Sequence, residues 1–134
     1  MTPEDEPPQV SLVLDRSALL AYVAGSVHSV EPVGEVVTDR QRFGVTAVTV
    51  AEALKLVIDS KDRQDLHALL AMDACAVLPT WGEDWLELSY WLGATSRVDL
   101  ATTVLASLEH GAQILTGEGH RYGEGLALNY MPNQ

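Results

Sequence analysis

The sequence has one cysteine, few basic residues and no long apolar run. Cys75 has no partner for a disulfide within the chain or for a zinc site of several thiolates, and its setting in "MDACAVL" indicates a small buried hydrophobe. No stretch reaches the roughly 18 consecutive apolar residues that a membrane span needs. The opening "MTPEDEPPQ" lacks the basic and apolar regions of a secretory signal and predicts a disordered acidic lead over residues 1–9. These absences favour a cytoplasmic protein without a membrane segment.

Basic residues number eight against nineteen acidic ones, so the formal net charge is −11 at pH 7. A surface with this charge repels nucleic acid unless metal ions or a local basic patch override the repulsion. Arg16, Arg97 and Arg121 each lie within three residues of an acid discussed below. A local basic patch near these acids is therefore kept as an alternative.

Several functional motifs are also absent. The first apolar run is not followed by Gly-x-Gly-x-x-Gly, and the chain has no Gly-Lys-Ser/Thr, which excludes the usual dinucleotide and phosphate loops. Ser17 is not in Gly-x-Ser-x-Gly, so water is the expected nucleophile of any hydrolysis. The four histidines show no paired ligand spacing, and His120, two residues from Glu118, is the one placed to approach a substrate.

Short apolar runs alternate with helical patterns along the chain. Strands are predicted at "VSLVL" (10–14), "GVTAV" (44–48), "CAVLP" (75–79) and "AQILT" (112–116), with a weaker one in "LALNYMP". Helices are predicted between them, the second starting near Pro32 and another opening with a Thr80–Glu83 capping box. The pattern predicts one α/β domain over residues 10–134, with a central parallel sheet of four to five strands in a three-layer α/β/α arrangement.

Trp81, Trp85, Leu88 and Leu92 share one face of the predicted helix after residue 80. This spacing favours a core or dimer surface over a platform for stacking bases.

Four acids are placed near one edge of the predicted sheet. Asp15 follows the first strand, Glu118 follows "AQILT" by two residues, and Glu52 lies near the start of the helix after "GVTAV". Asp99 begins a helix and joins them only if that helix docks with its N-terminus at the same edge. Ligands of open parallel sheets bind beyond the carboxyl ends of the strands, so these acids predict a site there.

Each acid also has a structural explanation. Asp15 fits a helix N-cap, and Glu52 and Asp99 fit capping boxes with Thr49 and Ser96, while Glu118 fits a solvated loop. These explanations do not account for the convergence of all four acids on one edge of the predicted sheet. Clustered carboxylates repel one another, and Mg²⁺ or Mn²⁺ relieves that repulsion, with two such ions able to activate water and stabilise the leaving oxygen of a phosphodiester.

At these residues the sequence resembles the PIN domain, the fold of VapC-type toxin ribonucleases. "VLDRSALLAYV" carries the family's first acid at Asp15, and "GVTAVTVAEAL" carries the second at Glu52. "DLATTVLASLEHGAQILT" gives the third at Asp99. "ILTGEGHRY" keeps the family's threonine and tyrosine at Thr116 and Tyr122 but has Glu118 where the family usually has aspartate.

The resemblance implies a Mg²⁺- or Mn²⁺-dependent endoribonuclease that acts on structured RNA, a homodimer, and an antitoxin whose tail enters the active-site groove. It implies roles for ten residues: Asp15, Glu52, Asp99 and Glu118 as catalytic metal ligands, Ser17, Thr49 and Thr116 in support, and Arg16, Arg97 and Arg121 toward substrate phosphate. The alternative is a PIN-like binding or dimerisation module without activity, which the acidic surface and Glu118 favour.

Overall fold

The structure, a computed structural model, describes residues 7–132. Of the predicted disordered lead, residues 1–6 lie outside the described part. Residues 7–9 form neither helix nor strand. The domain predicted from residue 10 onward begins where the first strand begins, at Val10.

The centre of the fold is a five-stranded, all-parallel sheet in the order β3-β2-β1-β4-β5. The strands are β1 (Val10–Leu14), β2 (Arg42–Thr46), β3 (Cys75–Leu78), β4 (Gln113–Thr116) and β5 (Leu128–Tyr130). β1 lies in the middle and is buried on both faces, as its unbroken apolar run predicts. The predicted α/β class and parallel sheet are confirmed.

In residues 7–132, six α-helices cover the two faces of the sheet. They are α1 (Arg16–Val23), α2 (Val27–Thr38), α3 (Ala47–Leu56), α4 (Ser60–Leu70), α5 (Trp85–Thr95) and α6 (Val98–His110). One core joins Leu12 and Leu14 of β1 to apolar side chains of α1 to α4. On the other face Val13 packs with Ala106 of α6. The fold is therefore the predicted three-layer α/β/α arrangement.

The predicted start of the second helix near Pro32 is wrong. Helix α2 begins at Val27, after the N-cap Ser26, and Pro32 lies inside it. A proline inside a helix removes one backbone hydrogen bond. Here Val33 and Val36 are buried against the sheet on the same helix, so tertiary packing outweighs the local preference for a helix boundary at proline.

The three predicted capping boxes are also wrong. Helix α3 is capped by Thr46 rather than Thr49, so Glu52 lies in the second turn of the helix. Ser96 has a φ of 64° and ends α5, which leaves Arg97 at the start of α6. Within the described residues, no side chain caps the 3₁₀ turn Gly82–Asp84 or the helix α5 that follows it, although Thr80 precedes both. The first residue of each helix depends on where the preceding strand or helix ends, and the spacing of residues alone does not reveal that.

The tryptophan face is exposed instead of being part of the core. Trp81 is 48% exposed and Trp85 is 68% exposed, and Leu92 is also exposed, whereas Leu88 is partly buried. Helix α5 packs on α6 and buries only Thr95 fully. The core interpretation is wrong for these residues, and the dimer interpretation stays a prediction.

None of the helices in the described residues has the length and apolar character needed to cross a membrane.

Cys75, the first residue of β3, is expected to react slowly with alkylating reagents. Burial raises the pKa of its thiol to about 11, from an ordinary value of 9.0. The thiolate is the reactive form, so a rise of this size lowers its population by about 100-fold at pH 8. Mass spectrometry of iodoacetamide-treated protein is expected to show alkylation about 100-fold slower than for the urea-unfolded chain. Equal rates in both states would contradict the described burial.

Candidate functional site

The strand order reverses beside β1. The chain leaves β1 for β2 and β3 on one side, and β4 and β5 lie on the other side. The crevice at such a point, beyond the carboxyl ends of the strands, is where open α/β sheets bind ligands. Asp15 directly follows β1, and Gly117 and Glu118 directly follow β4. Two of the four predicted acids therefore lie at the reversal itself.

Asp15 is fully buried and held from several directions. Its Oδ1 accepts hydrogen bonds from the Ser17 hydroxyl (2.5 Å) and the Ala18 amide (3.0 Å), so it caps α1. Its Oδ2 accepts a 2.7 Å bond from the Tyr122 hydroxyl. The capping explanation for Asp15 is therefore correct, but it involves only one of the two carboxylate oxygens. The other oxygen belongs to a contact across the crevice.

Burial sets the electrostatics of this carboxylate. It raises the pKa of Asp15 above the ordinary value of 3.8, and hydrogen bonds from Ser17, Thr116, Tyr122 and the Ala18 amide oppose the rise without cancelling it. Burial, together with the adjacent charge of Asp15, also raises the pKa of Tyr122, which keeps the phenol as a donor. A buried carboxylate in a crevice, with its pKa raised by burial, is a candidate functional group.

The hydroxyls of Ser17 and Thr116, which were predicted to support the acids, lie where the chain leaves β1 and β4. Ser17 Oγ donates to Asp15 and accepts a 2.9 Å bond from the Gly117 amide. Thr116 Oγ1 accepts a 2.8 Å bond from the Glu118 amide. Ser17 thus joins the carboxyl ends of β1 and β4, and Thr116 holds the loop that follows β4.

Asp99 reaches the same edge because α6 docks with its N-terminus there, as the prediction required. Its carboxylate is 2% exposed and lies in the first turn of the helix. Arg97 binds it through two bonds, Nε to Oδ1 at 3.0 Å and Nη2 to Oδ2 at 2.7 Å. Burial works to raise the pKa of Asp99, but Arg97, with a smaller contribution from Arg16, outweighs burial and holds this pKa below its ordinary value.

Glu118 shares the same arginine. Nη1 of Arg97 lies 3.2 Å from each of its carboxylate oxygens, and Nε of Arg121 lies 3.7 Å from Oε1. Glu118 lies in a loop and is partly exposed, but its carboxylate is paired with arginine. Arg97 and Arg121 were predicted to meet substrate phosphate, whereas in the structure both contact carboxylates. Arg97 in particular stands between two of the predicted metal ligands.

Glu52 lies at the margin of this group. Its Oε2 is 3.7 Å from Nη1 of Arg16, and both side chains are partly exposed. Acids and arginines thus alternate, from Glu52 and Arg16 through Asp99 and Arg97 to Glu118. The four carboxylates outnumber the three arginines by one, and among residues 7–132 the carboxylate of this group without an arginine ion pair is Asp15.

Thr49 does not support a carboxylate directly. Its hydroxyl accepts a bond from Thr46 and lies 3.4 Å from the Thr103 hydroxyl. Thr103 and Thr102 both donate to the Asp99 carbonyl at 2.9 Å. This buried network ties α3 to the first turn of α6. Thr49 therefore acts on the position of Asp99 through Thr103.

Tyr122 contacts Asp15 in the structure, although no role at the site was predicted for it. It is 2% exposed, and its hydroxyl donates a 2.7 Å bond to Oδ2 of Asp15. The available signal was its place in "ILTGEGHRY", six residues after the strand end at Thr116. A tyrosine so close to a crevice-forming loop is positioned to fold back into it.

The residues fit a divalent cation in chemistry but not in arrangement. All four acids offer hard oxygen ligands of the kind that Mg²⁺ and Mn²⁺ prefer. Among residues 7–132, however, no three Asp, Glu, His or Cys side chains form a group that would hold an ion. Arg97 already neutralises Asp99 and Glu118. The described arrangement is an ion-pair network in place of a preformed metal site.

No family model and no curated protein matches the sequence. The resemblance to PIN domains stays a prediction.

Proposed function

We propose that this chain is a PIN-like, metal-dependent endoribonuclease that cleaves RNA phosphodiester bonds. In this proposal the crevice between β1 and β4 is the active site, Asp15 and Asp99 are the main acids, and water is the nucleophile. Glu52 would hold the cation directly or through a water, and Glu118 would position a second ion or an outer-shell water. The toxin role in a toxin–antitoxin pair, the cognate antitoxin and the homodimer belong to the same proposal and rest on the resemblance.

The observation that carries the proposal is the state of Asp15. A fully buried carboxylate is destabilising unless it has a compensating partner, and within the described part of the chain Asp15 has hydroxyl and amide donors but no ion pair with a basic side chain. Helix capping by itself requires only an exposed serine or aspartate. A buried acid at the reversal of strand order, with its pKa raised by burial, is what a site that recruits a cation needs.

The proposed cation would supply Lewis-acid chemistry at the scissile phosphate, and the acids of the crevice are the residues that would hold it. Because Arg97 pairs with Asp99 and Glu118, the proposal requires that the cation compete with this arginine. Arg16 is partly exposed at the margin and is suited to a phosphate of the RNA, which would offset the repulsion from a net charge of −11.

The homodimer is proposed on the outer face of α5. Trp85, Leu86 and Tyr90 are each more than 60% exposed on this one helix. Exposed apolar surface of this extent on neighbouring residues marks interaction sites. Sedimentation equilibrium is expected to give twice the mass of the 14.5 kDa chain.

The direct test of the proposal is cleavage of a structured RNA. Purified protein is incubated with a pool of transfer RNAs in Mg²⁺, in Mn²⁺ and in EDTA, and the products are resolved on sequencing gels. We expect discrete fragments with either ion and none in EDTA. Cleavage that persists in EDTA would point to a contaminating metal-independent nuclease. Intact RNA in every condition, at protein concentrations that bind RNA, would remove the nuclease proposal for this RNA class.

A second candidate is the silent binding module, and the alternating ion pairs favour it. Each of Glu52, Asp99 and Glu118 has an arginine partner, so these acids are stable without a metal. Calorimetric titration of Mn²⁺ separates the two candidates without any choice of RNA. Saturable binding that Asp15→Asn removes supports the nuclease, and no heat with either protein supports the module.

The variant Glu118→Asp is expected to preserve or raise cleavage. Aspartate is the usual residue at this position in the family resembled, and the shorter side chain moves away from Arg97, which now lies 3.2 Å from both oxygens. The ion pair is partly exposed, so its weakening is expected to cost no more than about 1 kcal/mol of stability. Initial cleavage rates of the two proteins test this. A rate loss above about tenfold would mean that the site is built for glutamate.

A further inference from the structure

A groove between the Trp81 loop, α5 and α6 lies away from the crevice of the proposed active site. Its volume is about 550 Å³. Trp81, Leu105 and Leu108 give it an apolar floor, and Leu108 is 57% exposed on α6. Trp81 is held there by a 3.1 Å bond from its indole nitrogen to Glu109. The floor is therefore both apolar and fixed in position.

The charges around the groove are all of one sign. Its charged lining residues, taken from the described part of the chain, are Glu83, Asp84, Glu87 and Glu109. An apolar floor with an acidic rim is complementary to an apolar stripe flanked by lysine or arginine. It repels RNA, and it repels a second copy of this chain, because a two-fold contact would set the acidic rims against each other.

We propose that this groove docks a basic amphipathic helix of a partner protein. The groove runs beside two packed helices, which is the setting in which a helix inserts its apolar face into a groove. Apolar side chains of the partner contact Trp81 and Leu108, and its basic side chains pair with Glu83 and Glu87. The groove takes Glu87 from α5 and is otherwise lined by the segment before α5 and by α6. The proposal does not depend on the proposed nuclease function.

The test uses a synthetic helical peptide of leucine and lysine, with the leucines at helical spacing and a fluorescent label. Its anisotropy is measured at increasing protein concentration in 150 mM salt. We expect saturable binding to the full chain. A peptide with glutamate in place of every lysine is expected not to bind. No binding of the lysine peptide, or equal binding of the glutamate peptide, would overturn the proposal.

A charge-matched pair of double variants separates docking from general attraction to an acidic protein. Glu83→Gln with Glu87→Gln removes two rim charges, and Glu31→Gln with Glu35→Gln removes two exposed charges of α2. Two exposed ion pairs correspond to about a tenfold change in affinity. The rim variant is therefore expected to bind about tenfold more weakly, and the α2 variant less than about twofold. Equal weakening by both would overturn the proposal.

The floor is tested with Leu108→Gln, an exposed position where glutamine leaves the core unchanged. We expect peptide binding about fivefold weaker and no change in the mass of the free protein by sedimentation equilibrium. A change from dimer to monomer in this variant would overturn the proposal, because the groove would then be an interface between copies of this chain.

Discussion

Replacing Arg97 with glutamine is expected to destabilise the metal-free protein and to make its stability depend on Mn²⁺. The substitution leaves Asp99, which is 2% exposed, without its two-bond partner. Breaking a fully buried ion pair costs about 3–5 kcal/mol. Because Arg97 is partly exposed and Arg16 also acts on Asp99, we expect about 2–3 kcal/mol, which is a fall in Tm of about 6–10 °C for a domain of this size.

Added Mn²⁺ is then expected to restore several degrees of Tm in the Arg97→Gln variant, and to raise the Tm of the unmodified protein by less. In the variant the ion has no arginine to displace from Asp99 and Glu118, and a ligand that binds the folded state stabilises it. Thermal unfolding followed by circular dichroism, in EDTA and in 1 mM MnCl₂, measures both effects.

Arg63→Gln is the matched control for this experiment. Arg63 donates to the carbonyls of Leu54 and Val57, so its loss removes hydrogen bonds without releasing a carboxylate. We expect Arg63→Gln to be destabilised equally with and without Mn²⁺. If Mn²⁺ raises the Tm of Arg97→Gln no more than that of the control, the acids beside Arg97 do not bind the ion and the silent module is favoured.

Asp15→Asn is expected to lower RNA cleavage by more than about 100-fold while the fold is kept. Even an outer partner of a catalytic metal costs about 10–100-fold when removed, and Asp15 is proposed as a main ligand. Asparagine is also a good N-cap, so the bond from the Ala18 amide can be retained. Retained cleavage would remove Asp15 from the proposed site.

The same variant is expected to change how stability depends on pH. Burial raises the pKa of Asp15 in the folded state above its ordinary value of 3.8. The folded protein therefore binds the proton more tightly than the unfolded chain. This contribution to stability is fully present below pH 3.8 and is lost as the pH rises through the folded pKa. Urea unfolding in EDTA between pH 4 and pH 7 is expected to show this loss in the unmodified protein and a flatter profile in Asp15→Asn.

Asp59→Asn serves as the control for Asp15→Asn. Asp59 caps α4 by accepting bonds from the amides of Lys61 and Asp62, but it is exposed. The same substitution there is expected to leave cleavage unchanged and to produce no comparable change in the pH profile. If both variants flattened the profile equally, the effect would belong to helix capping and not to the buried acid.

The sheet was predictable because its signal is local and strong. A parallel strand buried on both faces needs an unbroken apolar run, and "VSLVL" is such a run, so β1 was found with its full length. Helix starts were less predictable. Thr46 and Thr49 are both threonines suited to cap a helix in this segment, and only the end of β2 decides that Thr46 is the cap and that Thr49 lies inside α3.

Asp15 and Glu118 were predictable for the same reason, since strand ends fix their place, whereas the place of Asp99 depends on how α6 docks. The partners of these acids were not predictable. Arg97 and Glu118 are 21 residues apart, and their contact depends on how α6 docks beside the loop after β4. The spacing of residues within one element carries no information about such a contact. An arginine predicted to face phosphate therefore proved to be the counter-ion of two acids.

The bond between Tyr122 and Asp15 joins residues 107 positions apart, and β1 pairs in the sheet with β4. Contacts of this sequence separation form late, because the loop they close must be ordered first. On the ribosome, where the N-terminal part emerges first, Asp15 has neither Tyr122 nor β4 beside it until the chain has been made past Tyr122. A nascent chain that ends before Gln113 therefore has no crevice between β1 and β4, and any activity of this site begins only after Tyr122 has been made.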